Sequence, residues 1–522
     1  IFFGLSLLLF LYLLINFFFP LKLFSLLINI IGFLIFLIGK FYKKVFKIDF
    51  LIYFLVIVFI TFVSFSNENN VDSPMYHLQV LKWLTEEKIN LGLANLEIRF
   101  GFNSSWHSII ALLDLNLFKQ IGSGIEFKAK YYINAVLLSV IVYEVLKFKK
   151  KFSNSDIFLF LVNFFLIFFS FVHPQMNGVI LNHLGNPERD IAAMVFVIMA
   201  FYIFLKIEEN NGENIQLISL LFFICFLSVT TRIVTLPLII LCVFILIKKK
   251  EFKTLGFTNI FIFFTGLIWT IRSFFLSGCF VFPIKFTCFN TIWAVNIKEV
   301  IFVVNEAMSY TRTHPHPNSF YNDWDHTIYS YDWFMPWVNR YFLTTSILQI
   351  ASIITIFSIS ILLFLKFYNI YKKKNKNFIS HYDFIIILTL SIIFIIWFKA
   401  PEIRYAWGPI IILPCFFLIL LLKNLNLSHF FEYKNKIFFF LTILCCFIFT
   451  GRNYQYFKVE DLLIISKKSF NYSFVTKLGK FDGKDIYDCK WRAAEYPNIC
   501  VNTVKENYYI KEKFKYTIFL TN

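Results

Sequence analysis

The sequence predicts an all-α polytopic membrane protein, and its composition is the first reason. Of its 522 residues, 58% are hydrophobic and only 16% are charged, and the mean hydropathy is +0.68. Soluble domains carry about a quarter charged residues. The second reason is that the apolar residues form long runs without the alternation of a barrel strand. Such runs must be helices, because a helix pairs all its own backbone polar groups inside lipid.

The apolar runs also predict the number of membrane crossings. A helix needs about 20 apolar residues to cross a bilayer, and about thirteen runs approach that length. They lie at 1–19, 21–39, 50–66, 130–147, 156–172, 190–206, 215–229, 233–247, 256–276, 343–366, 381–398, 406–422 and 437–450. The sequence therefore predicts a transmembrane bundle over residues 1–450.

Clusters of lysine predict the orientation of this bundle. Short cytoplasmic loops collect Lys and Arg, and the lysine clusters at 40–47, 147–151, 248–253, 372–376 and 423–436 all fall on one predicted side. This pattern places the N-terminus in the cytoplasm and the C-terminus outside. It also requires that the apolar stretch Ser108–Phe118, which carries Asp114, is not a span. We interpret that stretch as an amphipathic helix on the outer surface.

Most of the residues outside the predicted spans then face the outer side. The outer loops are 67–128, 173–189, 277–342 and 399–405, and residues 451–522 form a small outer module at the C-terminus. The net charge of +18 lies mainly in the lysine clusters. Because no basic face with base-reading chemistry is present, membrane lipids are the expected partners and nucleic acid is not.

Four cysteines lie in the predicted outer segments, where disulfides are stable. Cys279 could pair with Cys288, and Cys489 with Cys500, each pair closing a small loop. The alternative is that these are four free thiols. The spacing is too wide for a C-x-x-C metal or redox motif.

The first outer loop contains the main candidate for catalysis. Asp72 follows a predicted span by a few residues, so its carboxylate could meet a lipid headgroup and accept a proton from a hydroxyl. The same Asp-Ser-Pro sequence also fits a helix N-cap. Tyr76 and His77 could line the same site or belong to an interfacial aromatic belt. Arg99 and Asn103 could contact phosphate or sugar, or be ordinary loop residues.

The second outer loop places two acids around an arginine at the start of a span. Ionisable groups at the membrane boundary are costly and tend to be functional. Glu188 and Asp190 could hold a divalent cation, such as Mg²⁺ or Mn²⁺, beside a phosphate, although they do not supply a full ligand set. The alternative is a solvated charge cluster that includes Arg189. The metal therefore stays undetermined.

The preference of Lys and Arg for cytoplasmic loops does not explain the arginines on the predicted outer side. Arg232 and Arg404 could bind a lipid-linked phosphate bidentately, or contact ordinary headgroups. The third outer loop is rich in aromatic residues with interleaved acids. Trp324 and Trp333 could stack on sugar rings there, or form an interfacial cap on the bundle.

These features together resemble the GT-C-fold glycosyltransferases, membrane enzymes that use polyprenyl-phosphate-linked sugars on the extracytoplasmic side. The stretches 76–79, 92–96, 99–105 and 277–283 are also similar to an uncharacterised bacterial multi-pass family with GT-C-like features. The resemblance implies that Asp72 either is the base that activates the acceptor or orients the acceptor. It implies that Glu188 or Asp190 is the second-loop acid and that Arg404 grips the donor phosphate. The sequence departs from GT-C enzymes in having two spans before the one that leads into the Asp72 loop, and in having no obvious Asp-x-Asp in the second loop.

The resemblance implies a glycosyltransferase of the bacterial inner membrane. It would move a sugar from a polyprenyl-phosphate donor to a glycan, lipid or protein acceptor in the cell envelope. The outer arginines would bind the donor phosphate: Arg99, Arg189, Arg232 and Arg404. The alternatives are a transporter or flippase of lipid-linked saccharide, a polysaccharide ligase or polymerase on another fold, and a non-catalytic assembly component of the envelope.

Overall fold

A computed structural model of the chain describes most of the residues before 426 and five short pieces after it. The described ranges are 1–39, 48–65, 76–114, 129–146, 153–167, 181–249, 256–313, 324–339, 346–371, 379–425, 476–481, 484–488, 500–501, 508–513 and 516–521.

Helices make up the architecture of the described residues up to 425. The helices in the first part are α1 (Phe2–Phe18), α2 (Lys22–Ile38), α3 (Ile48–Phe65), α4 (Leu78–Glu86), α5 (Leu93–Leu96), α6 (Ser105–Leu113), α7 (Ala129–Leu146), α8 (Asn154–Ile167) and α9 (Leu181–Leu184). Those in the second part are α10 (Asp190–Glu209), α11 (Ile215–Thr231), α12 (Ile239–Lys249), α13 (Gly256–Ser277), α14 (Ile297–Thr313), α15 (Trp324–Tyr329), α16 (Phe334–Trp337), α17 (Ser346–Tyr371), α18 (His381–Trp397) and α19 (Trp407–Leu425).

Four stretches of helix within the described residues are long and apolar enough to cross a membrane. They are Asp190–Glu209, Gly256–Ser277, Leu348–Tyr368 and Ile403–Leu425. Each predicted apolar run from 1–19 to 406–422 overlaps a helix, but several of these helices have 17 residues or fewer. The predicted run 437–450 lies outside the described residues. The structure thus supports a helical membrane protein, while the predicted number of crossings stays a prediction.

Helix α10 is the centre of the bundle. All its residues from Asp190 to Leu205 are buried, as expected for a helix that is apolar on every side. It packs against α7, α8, α11 and α19. By contrast, α13 and α17 lie at the periphery and expose large apolar side chains, including Phe257 and Phe263 on α13. Exposed apolar surface of this extent on a membrane protein is the surface that contacts lipid.

The short helix α6 corrects one expectation from the sequence. Residues 108–118 were expected to lie on the outer surface, but α6 is buried from Ser105 to Leu112. Its polar side chains find partners inside the protein: the Ser105 hydroxyl lies 2.9 Å from that of Thr231, His107 lies against His77, and the Ser108 hydroxyl donates to the Ser104 carbonyl oxygen. With nine residues α6 is too short to span a bilayer. Tertiary packing against α1, α2, α4 and α11 buries it instead.

The described residues of the C-terminal tail form strands, which an all-α prediction does not include. In one sheet, β1 (Thr476–Phe481) pairs antiparallel with β2 (Lys484–Asp488), and β2 pairs parallel with β3 (Cys500–Val501). In the other sheet, β4 (Tyr508–Lys513) pairs antiparallel with β5 (Tyr516–Thr521). Strand β5 lies beside α5 of the first predicted outer loop.

Candidate functional site

A tight turn between α10 and α11 brings the candidate residues together. The chain reverses at Asn211 and Gly212, whose φ angles are 51° and 71°, a conformation that glycine adopts at little cost. The start of α10 and the end of α11 therefore lie at the same end of the bundle. Asp190 at the start of α10 and Arg232 just after α11 meet there.

Two acidic and three basic side chains form what we call the arginine–carboxylate cluster: Glu188, Arg189, Asp190, Arg232 and Arg404. Arg232 is ion-paired with Asp190. Nη1 of Arg404 lies 3.8 Å from Oε2 of Glu188, and this same oxygen contacts Nδ1 of His183. The cluster therefore joins the second predicted outer loop to the segments before α12 and α19.

Buried polar contacts hold the loop that carries the two acids. The side-chain amide of Asn134 on α7 donates hydrogen bonds of 2.9 Å to the carbonyl oxygens of Leu184 and Asn186. The ring of Trp407 packs edge-on against the His183 ring, with 5.1 Å between centroids. These contacts fix the backbone just before Glu188, which holds the Glu188 carboxylate in place.

The cluster carries one more positive than negative side chain in a poorly solvated place. The side chain of Glu188 is 1% exposed, that of Asp190 is 6% and that of Arg232 is 11%. Burial lowers the pKa of Arg232 to about 9; Tyr405 opposes this shift, and Arg189 and Arg404 add to it. Arg232 is therefore still charged at pH 7. An unbalanced guanidinium in a low dielectric attracts an anion strongly.

Aromatic rings flank the guanidinium groups. The guanidinium of Arg232 lies 3.8 Å from the ring centroid of Tyr405, and that of Arg404 lies 5.5 Å from it. The guanidinium of Arg189 lies 4.8 Å from the centroid of the Phe102 ring. Such cation–π contacts hold the arginines in place.

A pair of buried histidines lies beside the cluster. Nδ1 of His77 and Nε2 of His107 are 2.9 Å apart, so one ring donates to the other. Burial is the main cause that lowers the pKa of His77, and His107, Arg189, Arg404 and Arg232 lower it further. Burial also lowers the pKa of His107 to about 3, with a further contribution from Arg189. Both imidazoles are therefore neutral at pH 7.

Three side chains of the site could hold a metal ion. His183, Glu188 and Asp190 are all buried, and their ligand atoms lie within 4.8 Å of one another. Within the described residues, Oε1 of Glu188 is buried without a hydrogen-bond partner. An imidazole with two carboxylates suits Zn²⁺ or Mn²⁺ better than Mg²⁺. However, Arg232 and Arg404 already contact these carboxylates, so a cation would bind only if Arg232 released Asp190.

Several predicted site residues lie elsewhere. Arg99 is paired with Glu306, at 2.9 Å between Nη2 and Oε1, and its guanidinium lies 5.6 Å from the ring centroid of Tyr76. The amide of Asn103 is used in packing: Nδ2 donates to the Trp269 carbonyl oxygen at 2.8 Å, and Oδ1 accepts from Arg272.

The remaining predicted residues are described in part or not at all. Trp333 is buried beneath the guanidinium of Arg312, which lies 4.7 Å from its ring centroid. Cys279 and Cys288 form a disulfide. Asp72 and Cys489 lie outside the described residues, as do the side chains of Trp324 and Cys500.

Sequence reasoning did not select three residues that the structure brings to the site. His107 lies on α6, which was expected at the surface. His183 and Tyr405 each stand next to residues that were selected, and a signal for both was available. A histidine five residues before Glu188 and an aromatic ring directly after Arg404 are patterns that support metal binding and cation–π contact.

Comparison with known families adds one finding. A family described as a domain of unknown function (DUF8201) matches residues 1–411. Comparison with curated proteins found no match, and comparison with solved structures found none either.

Proposed function

The chain belongs to the DUF8201 family, and from the chemistry of its own site we propose that it is a membrane glycosyltransferase. In this proposal it moves a sugar from a polyprenyl-phosphate donor to a cell-envelope acceptor. The family match ends at residue 411, before the C-terminal residues 451–522.

The convergence of Arg189, Arg232 and Arg404 beside the carboxylates of Glu188 and Asp190, within the described residues, is the observation that supports this proposal most strongly. Guanidinium groups bind phosphate oxygens bidentately. Three guanidinium groups in a buried place favour the binding of an anion that is not accompanied by a cation. The site lies where apolar helices of the bundle end, which is where a phosphate attached to a lipid would bind if its chain stayed in the bilayer.

The disulfide supports an extracytoplasmic position for this site. Disulfides persist in oxidising compartments, and the Cys279–Cys288 pair directly follows α13. Arg272 near the end of α13 donates to Asn103, and Ser105 two residues later contacts Thr231, the neighbour of Arg232. The disulfide and the arginine–carboxylate cluster are thus at the same end. Lys206 and Lys423 lie at the opposite ends of α10 and α19, as the orientation rule expects for the cytoplasm.

The first outer loop supplies the acceptor side in this proposal. Asp72 precedes Tyr76 by four residues, and His77 lies close enough to Arg189, Arg232 and Arg404 to have its pKa lowered by them. The Asp72 carboxylate would take the proton of the acceptor hydroxyl while its oxygen attacks the anomeric carbon. The bond from that carbon to the phosphate oxygen breaks, and the phosphate leaves with the electron pair. The arginines stabilise the charge that develops on it.

A divalent cation on His183, Glu188 and Asp190 would add a positive charge beside the departing phosphate. The arginines alone already neutralise much of that charge. The proposal therefore does not depend on the metal.

The first experiment tests the reaction in the native host. Asp72→Asn is expressed at the level of the wild type, and the envelope glycan is analysed. We expect the glycan to be lost while the variant protein still inserts into the membrane. An unchanged glycan would mean that Asp72 is a helix cap and that the catalytic role is wrong.

A second experiment tests the anion site without any need for activity. Purified protein is titrated with polyprenyl monophosphate, and binding is followed by native mass spectrometry. Arg189→Gln, Arg232→Gln and Arg404→Gln are each expected to weaken binding at least about tenfold, as for the loss of one charge-assisted hydrogen-bonding group. Arg312→Gln, which changes an arginine outside the cluster, is the matched control. Binding that depends on the cluster, together with an intact glycan in Asp72→Asn, would favour the transporter or flippase alternative.

A further inference from the structure

The segment directly after α13 is a small loop that two kinds of bond hold closed. The disulfide joins Cys279 to Cys288. Backbone hydrogen bonds run from Phe280 N to Thr287 O at 3.0 Å and from Phe289 N to Gly278 O at 2.9 Å. The loop therefore has a fixed backbone conformation, which also holds its exposed side chains in fixed positions.

Those exposed side chains are apolar. Phe286 is 86% exposed, Ile292 is 64% and Phe289 is 54%. Leaving several large apolar groups in water costs about 1.5–3 kcal/mol for each side chain that could be buried elsewhere. A rigid loop that presents them together is therefore expected to have an apolar partner.

The position of the loop identifies that partner. Helix α13 has 22 residues, which gives a length of about 33 Å, close to the roughly 30 Å of a bilayer core. Its exposed apolar face includes Phe257, Ile260 and Phe263. The loop begins at the residue after this helix ends, so it lies at the level of the membrane–water interface and continues the lipid-facing surface.

Two exposed lysines complete the pattern. Lys285 precedes Phe286, and Lys298 lies in the first turn of α14, which follows the loop. Apolar and aromatic residues next to lysines are typical of segments that enter the headgroup region, where anionic lipids attract the lysines.

We propose that the disulfide-closed loop 278–296 inserts Phe286, Phe289 and Ile292 into the outer leaflet of the membrane. The insertion rests on the position and exposure of the loop, and it does not depend on the proposed reaction.

The loop is also connected to the arginine–carboxylate cluster. The Phe282 ring packs against the Phe102 ring, with 5.3 Å between centroids, and Phe102 carries the guanidinium of Arg189. The loop therefore contacts Arg189 indirectly, through the Phe282 and Phe102 rings.

The experiment is photo-crosslinking in proteoliposomes of phosphatidylethanolamine and phosphatidylglycerol. Benzoylphenylalanine replaces Phe286 in the full-length protein, and the adducts are identified by mass spectrometry. The matched control carries the same group at Asn210, an exposed residue of the turn between α10 and α11. Because residue 286 would lie in the lipid and residue 210 in a polar turn, we expect the yield of lipid adduct at 286 to exceed that at 210 at least about fivefold.

Two outcomes would overturn the proposal: a lipid yield at 286 no higher than at 210, or an adduct formed mainly with a second copy or another protein. A second variant, Cys279→Ser with Cys288→Ser, opens the loop and keeps its sequence. The lipid yield at 286 is expected to fall about threefold or more when the residues are no longer held together. An unchanged yield in this variant would contradict the role of the closed loop. None of these readouts requires glycosyl transfer, so they can fail or succeed independently of the proposed function.

Discussion

The guanidinium of Arg232 is ion-paired with the carboxylate of Asp190, and this pair ties the end of α11 to the start of α10. Both side chains are almost completely removed from water. Removing one member of a buried ion pair leaves the other charge uncompensated, which costs about 3–5 kcal/mol. We therefore expect Asp190→Asn and Arg232→Gln each to lower the free energy of unfolding by about that amount, measured by denaturant unfolding in detergent.

The double variant Asp190→Asn with Arg232→Gln is the control for this prediction. It removes both charges, so its cost should be clearly smaller than the sum of the two single costs. Strict additivity would mean that the two side chains do not depend on each other, which would contradict the ion pair.

The two buried histidines predict an acid-sensitive fold. The unfolded chain binds protons on His77 and His107 below about pH 6.5, whereas in the folded protein the pKa of His77 is well below that value and that of His107 is about 3. The stability that these residues contribute is therefore complete above pH 6.5 and is lost as the pH falls below it. The expected loss is about 1.4 kcal/mol per pH unit for each histidine.

Unfolding measured at pH 7.0 and pH 5.0 checks this expectation. His107→Gln should show a smaller difference between the two pH values, because one of the two proton-binding groups is gone. His381→Gln replaces an exposed histidine at the start of α18 and is the matched control. An equal pH dependence in His107→Gln and the wild type would show that another group causes the acid sensitivity.

The sequence was sufficient to predict the helices but not how they pack. Apolar runs identify helices because lipid and protein interior both require paired backbone groups. The same runs do not distinguish a helix that faces lipid, such as α13, from one enclosed by protein, such as α10. Helix α6 shows the limit most clearly, because its burial depends on distant partners, Thr231 and His77, that no local pattern reveals.

The site was predictable to a similar extent. Glu188, Arg189 and Asp190 were selected from local sequence because charges at the mouth of a span are costly. Their meeting with Arg232 and Arg404 depends on the antiparallel course of α10 and α11 and on the start of α19. Arg99 was selected by the same reasoning about charge, but Glu306, distant in sequence, neutralises it.

The sequence predicts that four arginines bind phosphate, but the pairing of Arg99 with Glu306 predicts that Arg99 contributes less to this binding than Arg404. Arg99→Gln removes a partly exposed pair with Glu306, which is worth about 1 kcal/mol or less. It should therefore weaken binding of polyprenyl monophosphate less than twofold, whereas Arg404→Gln should weaken it at least about tenfold. The same native mass spectrometry titration measures both. Equal losses in the two variants would mean that the anion site extends to the first loop.

Gly278 supplies the last prediction, because it begins the disulfide-closed loop with a φ of +80°. A Cβ at this position would lie 2.5 Å from Cβ of Ala294 and 2.7 Å from its Cα. Gly278→Ala combines a left-handed conformation, which costs about 1–2 kcal/mol for a residue with a side chain, with a backbone clash. We expect the free energy of unfolding to fall by at least about 2 kcal/mol. We also expect the disulfide to form in only part of the protein during folding, which leaves Cys279 and Cys288 in the remainder as thiols that react with maleimide. Gly266→Ala in α13 is the control, since its nearest neighbour would be an ordinary contact at 3.6 Å and alanine is the better helix former. If Gly278→Ala has the stability of the wild type and no thiol that reacts with maleimide, the loop closes without this turn.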